Sequence, residues 1–114
     1  MNCFQKSAIE SWIENGADPC KLNLGLASYG RSFQLATPTD KCEVCAPAIG
    51  PYRAGEYVGE SGFLPYSEIC RKIKEQNWKV CFSGEQEVPF AVNHDLWVGY
   101  DDPASLVNKV SDLV

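Results

Sequence analysis

The spacing of hydrophobic residues changes along the chain, and each spacing predicts a different element. Residues 7–14 place Ile9, Trp12 and Ile13 at helical spacing, and a glycine and a proline follow them. Residues 21–28 alternate leucine with small or polar residues, which predicts a strand covered on both faces. A helix followed by a buried strand predicts a piece of an α/β layer.

The centre of the chain is rich in proline and glycine. Residues 36–62 contain three prolines and four glycines, which predicts loops and short, irregular strands. A second helix is predicted from about Pro65 to Gln76, with Ser67 as its cap and with Ile69 and Ile73 on one face. This region therefore predicts a small mixed unit instead of a continuation of the α/β layer.

The last third of the chain predicts a sheet and a closing helix. Residues 78–82, 88–92 and 96–100 are apolar runs separated by turn sequences, which predicts an antiparallel meander. Asp102 is the predicted N-cap of the closing helix and Pro103 its first residue. The face predicted to pack inward carries Leu106, Val110 and Leu113.

Length and charge narrow the function classes. At 114 residues the chain is the size of one domain. Its net charge of -5 argues against nucleic acid or an anionic membrane as a partner. No run approaches the roughly 20 apolar residues of a membrane span. The start "MNCFQKSAIE" lacks the features of a signal peptide, so we expect either an intracellular chain or one that begins inside a longer precursor.

Four blocks carry a resemblance to a known family. "KLNLGLASYGRSFQLA", "GESGFLPYSEIC", "VPFAV" and "LWVGYDDPASLVNKV" occur in the order and spacing seen in family 18 glycoside hydrolases, the chitinases and chitinase-like lectins. The resemblance implies an α+β fold, in which a small antiparallel sheet with one helix is flanked by pieces of a TIM barrel. It divides the chain into a barrel helix and seventh-strand piece (1–35), the chitinase insertion domain (36–96), and a return strand and barrel helix (97–114).

The same resemblance implies a carbohydrate ligand. The parent protein would be a secreted enzyme that hydrolyses β-1,4-linked N-acetylglucosamine polymers, and this chain would contact chitin or its oligosaccharides without a cofactor or metal. Tyr29, Arg31, Glu60 and Phe63 match the substrate contacts of the family, with Phe63 standing where relatives often carry methionine. The family's catalytic signature, Asp-x-x-Asp-x-Asp-x-Glu, does not occur in these 114 residues. We therefore expect the chain alone to be inactive.

Other interpretations of these residues stay open. The parent could be a non-catalytic lectin that has lost the catalytic acid. Arg31 could be a structural cation paired with Glu60 or Asp101. Phe63 could belong to the core. The aromatic residues of "LWVGY", Trp97 and Tyr100, are predicted to serve packing.

The six cysteines allow two interpretations, structural disulfides or a zinc or redox site. An even count at this density is typical of an oxidising compartment and predicts structural disulfides. Local pairs from Cys70 to Cys81 and from Cys3 to Cys20 are plausible, and a zinc or redox site built on the C-x-x-C is the less favoured alternative. The six candidates are Cys3, Cys20, Cys42, Cys45, Cys70 and Cys81.

An isolated barrel strand also has a physical consequence. A strand at residues 21–28 without neighbours would have unpaired edges. We expect the chain to aggregate, to dimerise through this strand, or to rest the strand against its own helices.

Overall fold

The structure is a computed structural model that describes residues 3–112, with only the backbone described for residues 3 and 4. It contains three α-helices and six strands, with three strands between each helix and the next. In chain order they are α1 (Cys3–Glu14), β1 (Tyr29–Leu35), β2 (Ala48–Pro51), β3 (Phe63–Pro65), α2 (Tyr66–Gln76), β4 (Lys79–Ser83), β5 (Val88–Asn93), β6 (Leu96–Gly99) and α3 (Pro103–Ser111).

All six strands form one antiparallel sheet in the order β2-β1-β6-β5-β4, and β3 also pairs with β1. The predicted α+β class with a small antiparallel sheet is therefore confirmed, as is the meander formed by β4, β5 and β6. β1 lies at the centre of the fold because it has β6 on one side and both β2 and β3 on the other.

The two faces of the sheet are covered differently. Alternate side chains of a strand point to opposite faces, so one face of β1 packs under α2 while the other carries Tyr29, Arg31 and Phe33. We call these the helix face and the open face. The helix-face core contains Leu64, Ile69, Trp78, Ala91, Leu96, Val98 and Tyr100. The open-face core is smaller and contains Leu35, Cys81, Phe90 and Val92.

Gly30 allows α2 to pack closely on β1. A Cβ at this position would lie 2.8 Å from Ile69 Cδ1, 2.8 Å from Val98 Cγ2 and 2.9 Å from the carbonyl oxygen of Gly99. No side chain fits in that space. The glycine between Tyr29 and Arg31 is thus required by packing on the helix face, while its two neighbours project from the open face.

The predicted strand at residues 21–28 is wrong. Residues 19–21 form a single 3₁₀ turn, and residues 22–28 belong to no helix or strand. A strand of this kind needs hydrogen-bonded neighbours, and the described sheet starts only at Tyr29. Leu22 and Leu24 instead line an apolar cavity of about 560 Å³ beside Ile9 of α1. The expectation that this segment mediates association between copies of the chain stays a prediction.

The second helix matches its prediction except at its start. It ends at Gln76, and Asn77 closes it in the left-handed conformation with a φ of 52°. Pro65 occupies the N-cap position and no side chain caps the helix, so the predicted capping by Ser67 is wrong. Ile69 is fully buried, as its place on the inner face requires.

The third helix starts as predicted but packs through another face. Asp102 and Ser105 form a reciprocal capping box ahead of Pro103. The buried side chains of α3 are Ser105 and Lys109, whereas Val110 is 46% exposed. The predicted inward face is therefore wrong for Val110, and Leu113 lies outside the described residues. The cause is a buried ion pair of Lys109, described below.

One disulfide joins Cys42 to Cys81, across a sequence separation of 39 residues. The predicted pairing of Cys81 with Cys70 is wrong, because Cys81 points to the open face of the sheet and α2, which carries Cys70, packs on the helix face. Cys70 has no disulfide within residues 3–112, and neither do Cys20 and Cys45. The side chain of Cys3 lies outside what the structure describes.

The disulfide also bears on the zinc alternative, since it takes two of the four thiolates that this alternative needs. Within the described part of the chain, no three His, Cys, Asp or Glu side chains are grouped closely enough to hold a metal ion. In the same part, no helix has the length and apolar character to cross a membrane.

Candidate functional site

Tyr29 and Phe63 meet on the open face of the sheet. Antiparallel pairing of β1 with β3 sets Tyr29 opposite Pro65 and Arg31 opposite Phe63. The two aromatic rings stack with centroids 4.8 Å apart and an angle of 26° between their planes. Phe63 is therefore a partly exposed surface ring beside Tyr29, and it is not part of either buried core cluster.

Arg31 lies over both rings. Its guanidinium carbon is 5.4 Å from the centre of the Tyr29 ring and 5.9 Å from the centre of the Phe63 ring. At these distances the ring faces attract the cation and hold its plane. Because an arginine stays charged at every physiological pH, its N–H donors are permanently available to a ligand.

Glu60 completes the group from a loop. Its Oε1 is 3.8 Å from Arg31 Nη1, and the side chains of Arg31 and Glu60 are 58% and 65% exposed. This separation is too long for a hydrogen bond, and a solvent-exposed pair of this kind contributes little to stability. The carboxylate oxygens and the guanidinium donors consequently keep their capacity to bind something else.

The loop that carries Glu60 is tied to the fold at both ends. Gly62 donates its N–H to the carbonyl of Tyr52 at 2.8 Å, and its own carbonyl accepts from the N–H of Ser32 at 3.0 Å. Nearer the middle of the loop, Arg71 of α2 donates to Glu56 Oε2 at 2.8 Å. This hydrogen bond holds the pKa of the Glu56 carboxyl below its usual value. Glu60 is thus presented by a loop that is anchored to β1 and α2.

Asp101 does not pair with Arg31. Its Oδ2 lies 2.6 Å from Lys109 Nζ, and both side chains are 8% exposed. The alternative in which Arg31 is a structural cation of Asp101 is therefore wrong. Arg31 has the exposed Glu60 near it instead, which leaves the guanidinium facing solvent.

A groove continues from Tyr29 and Arg31 along the open face. It has a volume of about 240 Å³ and also reaches Trp97, Gly99 and Tyr100. Burial raises the pKa of Tyr100 to about 12. Tyr100 belongs to the helix-face core, which confirms its predicted packing role.

Sequence reasoning missed the position of Trp97. Its ring stacks on Phe90 with centroids 5.4 Å apart, and its indole Nε1 donates to the carbonyl of Glu43 at 3.2 Å. It packs as predicted, but it also lines the groove. The signal that locates it is the strand register, since Trp97 lies opposite Phe33 and Gly99 lies opposite Arg31.

The four residues singled out from the sequence therefore lie together on one surface. They offer two aromatic rings, a permanent cation with several N–H donors, and a carboxylate that accepts hydrogen bonds. Such a set suits a neutral ligand that has both apolar faces and many hydroxyl or amide groups.

Comparison with known proteins identifies the family. A model of the glycosyl hydrolases family 18 matches residues 3–114, and the chain belongs to this family. This agrees with the resemblance carried by the four sequence blocks.

Curated relatives include both chitinases and a chitinase-like protein. The chain is 42% identical to human Chitinase-3-like protein 2 over 106 residues, which is 93% of this chain and 26% of the relative. It is also 42% identical to the probable chitinase 10 of Drosophila melanogaster over 99 residues, which is 86% of this chain and 4% of the relative. The chain thus spans about a quarter or less of the length of these relatives.

Solved structures share the fold. Human YKL-39, described as a pseudo-chitinase with retained chitooligosaccharide binding properties, aligns with a TM-score of 0.84 and 41% identity over 95% of this chain and 29% of its own. The Group IV chitinase of Ostrinia furnacalis in complex with allosamidin aligns with a TM-score of 0.85 and 34% identity over 93% of this chain and 28% of its own.

Proposed function

We propose that this chain forms one wall of a chitooligosaccharide-binding cleft and that Tyr29, Arg31, Glu60 and Phe63 contact the sugar. The observation that supports this proposal is the meeting of these four side chains. They come from two strands and a loop, yet the rings stack at 4.8 Å and the guanidinium lies within 5.9 Å of both ring centres.

Each side chain has a distinct role in the proposed site. The stacked rings of Tyr29 and Phe63 pack against the apolar face of a pyranose ring. Arg31 donates hydrogen bonds to hydroxyl or acetamido oxygens, and Glu60 accepts hydrogen bonds from hydroxyl groups. Arg31 and Glu60 are both exposed and are 3.8 Å apart, which supports these roles because neither side chain uses up the hydrogen-bonding capacity of the other.

Structural relatives support the ligand class. YKL-39 was crystallised with chitooligosaccharides (GlcNAc4), and an E115Q mutant of a tobacco class V chitinase was crystallised with NAG4. These proteins are 42% and 27% identical to this chain. We extend the ligand class, N-acetylglucosamine oligosaccharides, to this chain as a proposal.

The parent protein is proposed to be a secreted chitinase. The Cys42–Cys81 disulfide supports an oxidising compartment. We also propose that residues 1–35 and 97–114 are pieces of a TIM barrel that flank the insertion domain at 36–96 in the sequence. In this chain the two outer pieces contribute β1 and most of β6, which pair with each other.

A lectin is the second candidate for the parent. The similarity to Chitinase-3-like protein 2 and to the pseudo-chitinase YKL-39 favours it. The two candidates differ at one upstream residue, because a hydrolase carries the glutamate that ends the family's catalytic signature and a lectin lacks it. Sequencing the parent transcript upstream of this segment distinguishes them.

The binding proposal is tested with the chain itself. Chitohexaose is titrated into ¹⁵N-labelled protein, and we expect shifts of the amides of Tyr29, Arg31 and Phe63. Arg31→Ala should weaken binding about tenfold or more, since a hydrogen bond to a charged group contributes roughly 1.5–3 kcal/mol.

Arg53→Ala is the matched control. Arg53 also lies over an aromatic ring, that of Tyr52 at 5.0 Å, but it is outside the proposed site. This variant should bind chitohexaose as the native chain does. Equal affinity of the native chain and Arg31→Ala would refute the site, and so would shifts confined to residues remote from β1 and β3.

A further inference from the structure

We infer that the sugar-binding surface extends along β1 to a second aromatic platform, formed by Phe33 and the exposed edge of Trp97, which binds additional N-acetylglucosamine units of the same oligosaccharide. This inference rests on the proposed function. It adds a separate site and predicts a dependence of affinity on the length of the sugar chain.

Phe33 is on the same face of β1 as the first pair of rings. Side chains alternate along a strand, so Tyr29, Arg31 and Phe33 all project from the open face. With a rise of about 3.3 Å per residue, Phe33 lies roughly 13 Å along the strand from Tyr29. A disaccharide is too short to contact both rings, whereas a longer chitooligosaccharide can.

The second platform is held in place by its neighbours. Phe33 pairs in register with Trp97, and their ring centroids are 6.1 Å apart at an angle of 53°. Trp97 in turn stacks on Phe90 and donates its indole N–H to the carbonyl of Glu43. The ring of Phe33 nevertheless remains 42% exposed. Because its neighbours hold the ring in place, binding a sugar to it costs little conformational entropy.

On β6, the position opposite Arg31 carries no side chain. Gly99 lies opposite Arg31 on β6, and a Cβ there would lie 3.1 Å from two atoms of the Trp97 ring. Gly99 therefore leaves room for the Trp97 ring, and a groove of about 240 Å³ is lined by both Arg31 and Trp97. Beyond Trp97 a second cavity of about 270 Å³ opens, and it shares Val44 and Trp97 with the first. The lining of this second cavity is Phe33, Leu35, Val44, Ala46, Ala48 and Trp97.

The composition of this surface favours a neutral sugar chain. The second cavity is lined by apolar side chains, while the adjoining groove presents polar groups from Arg31, Ser83 and Gln86. Apolar floors with polar rims match a pyranose, which has an apolar face and hydroxyl groups at its edge. A polyanion is disfavoured by the net charge of -5. Because the second cavity adjoins the groove that Arg31 lines, we expect one oligosaccharide to occupy both.

The test compares a short and a long sugar on the full chain. Chitobiose should shift the amides of Tyr29, Arg31 and Phe63 but not that of Phe33. Chitohexaose should also shift the amide of Phe33 and the indole N–H resonance of Trp97, which is distinct from those of the other two tryptophans. Phe33→Ala should raise the Kd for chitohexaose about three- to tenfold and leave that for chitobiose unchanged, consistent with the loss of one ring contact.

Two variants serve as controls. Phe33→Tyr keeps the ring and should retain the affinity for chitohexaose. Phe82→Ala removes another exposed phenylalanine of the same sheet, but Phe82 alternates with Cys81 and so projects from the opposite face. Phe82→Ala should leave the Kd for both sugars unchanged.

Several results would overturn the inference. Native-like chitohexaose affinity in Phe33→Ala, with Arg31→Ala still defective, would refute the second platform and leave the first site standing. Absence of binding to the native chain would refute the proposed function itself. A change in oligomeric state on Phe33→Ala, seen by sedimentation without sugar, would identify the surface as a contact between copies of the chain.

Discussion

Lys109 Nζ lies 2.6 Å from Asp101 Oδ2 in a position where both side chains are almost fully buried. The second oxygen of the carboxylate, Oδ1, accepts a hydrogen bond from Ser105 Oγ at 2.9 Å. Both acceptors of Asp101 are thus engaged by α3, which begins two residues later. The ion pair therefore fixes the rotation of α3 against the end of β6.

Replacing Lys109 with methionine should destabilise the fold. Lys109→Met leaves Asp101 buried without its cation, and breaking a buried pair in this way costs about 3–5 kcal/mol. Urea unfolding followed by circular dichroism measures the loss. Lys74→Met, an exposed lysine on α2, is the control and should change stability by less than about 0.5 kcal/mol.

A second variant keeps this prediction testable if the first does not fold. Adding Asp101→Leu to Lys109→Met removes the unpaired charge and should recover part of the lost stability. If the urea midpoint of Lys109→Met equals that of the native chain, the ion pair does not hold α3 in place.

The third helix shows which features of the fold can be predicted from local sequence. The start of the helix could be predicted, because a capping box involves residues three apart whose hydrogen bonds form within one turn. Its buried face could not. The apolar spacing favoured Val110, but an ion pair with Asp101, eight residues earlier and outside the helix, turned Lys109 inward. The hydrophobic pattern of the helix does not report that contact.

Gly30 should not tolerate a side chain. Gly30→Ala places a methyl group within 3 Å of Ile69 and Val98. Overpacking of this kind costs about 1–3 kcal/mol, because α2 and β1 must separate. The same shift should displace Tyr29 and Arg31 and lower chitohexaose affinity. Urea unfolding and amide-shift titration measure the two effects.

Gly25→Ala is the matched control for this variant. An added methyl group at Gly25 meets no atom within 4 Å, and the residue is in the same stretch of chain. The substitution should be neutral, or stabilising by a few tenths of a kcal/mol through the unfolded state. Equal stability of the Gly30 and Gly25 variants would contradict the close packing of α2 on β1.

The candidate site itself was only partly predictable from the sequence. The family resemblance named its four residues, and the alternation along β1 explains why Tyr29 and Arg31 share a face. The stacking of Tyr29 on Phe63 depends on the register between β1 and β3, which are separated by a long, proline-rich stretch. Register over such a distance is set by tertiary packing and cannot be inferred from either strand alone.

The Cys42–Cys81 disulfide should contribute strongly to stability. It closes a long loop, with a sequence separation of 39 residues, and bridges of this kind typically stabilise by about 2–4 kcal/mol. The double variant Cys42→Ser/Cys81→Ser should lose about this much in urea unfolding. The native chain in reducing buffer should show the same loss.

Cys45→Ser is the control, because Cys45 is an exposed cysteine close to Cys42 in the same loop. Its stability should match that of the native chain within about 0.5 kcal/mol. Alkylation followed by peptide mapping checks the pairing directly. Labelling of Cys42 and Cys81 without prior reduction would show that the bond is absent.

The segment before β1 should exchange its amide hydrogens quickly. Residues 23–27 belong to no helix or strand, although their leucine spacing resembles that of a buried strand. The amides of Phe90 and Val92 lie in β5, which has a paired strand on each side. Amides in such a central strand exchange only through large openings, so we expect the segment to exchange roughly a hundredfold faster or more. Hydrogen–deuterium exchange with peptide resolution measures both regions in one experiment. Protection of residues 23–27 equal to that of β5, lost on dilution, would instead indicate strand pairing between two copies of the chain.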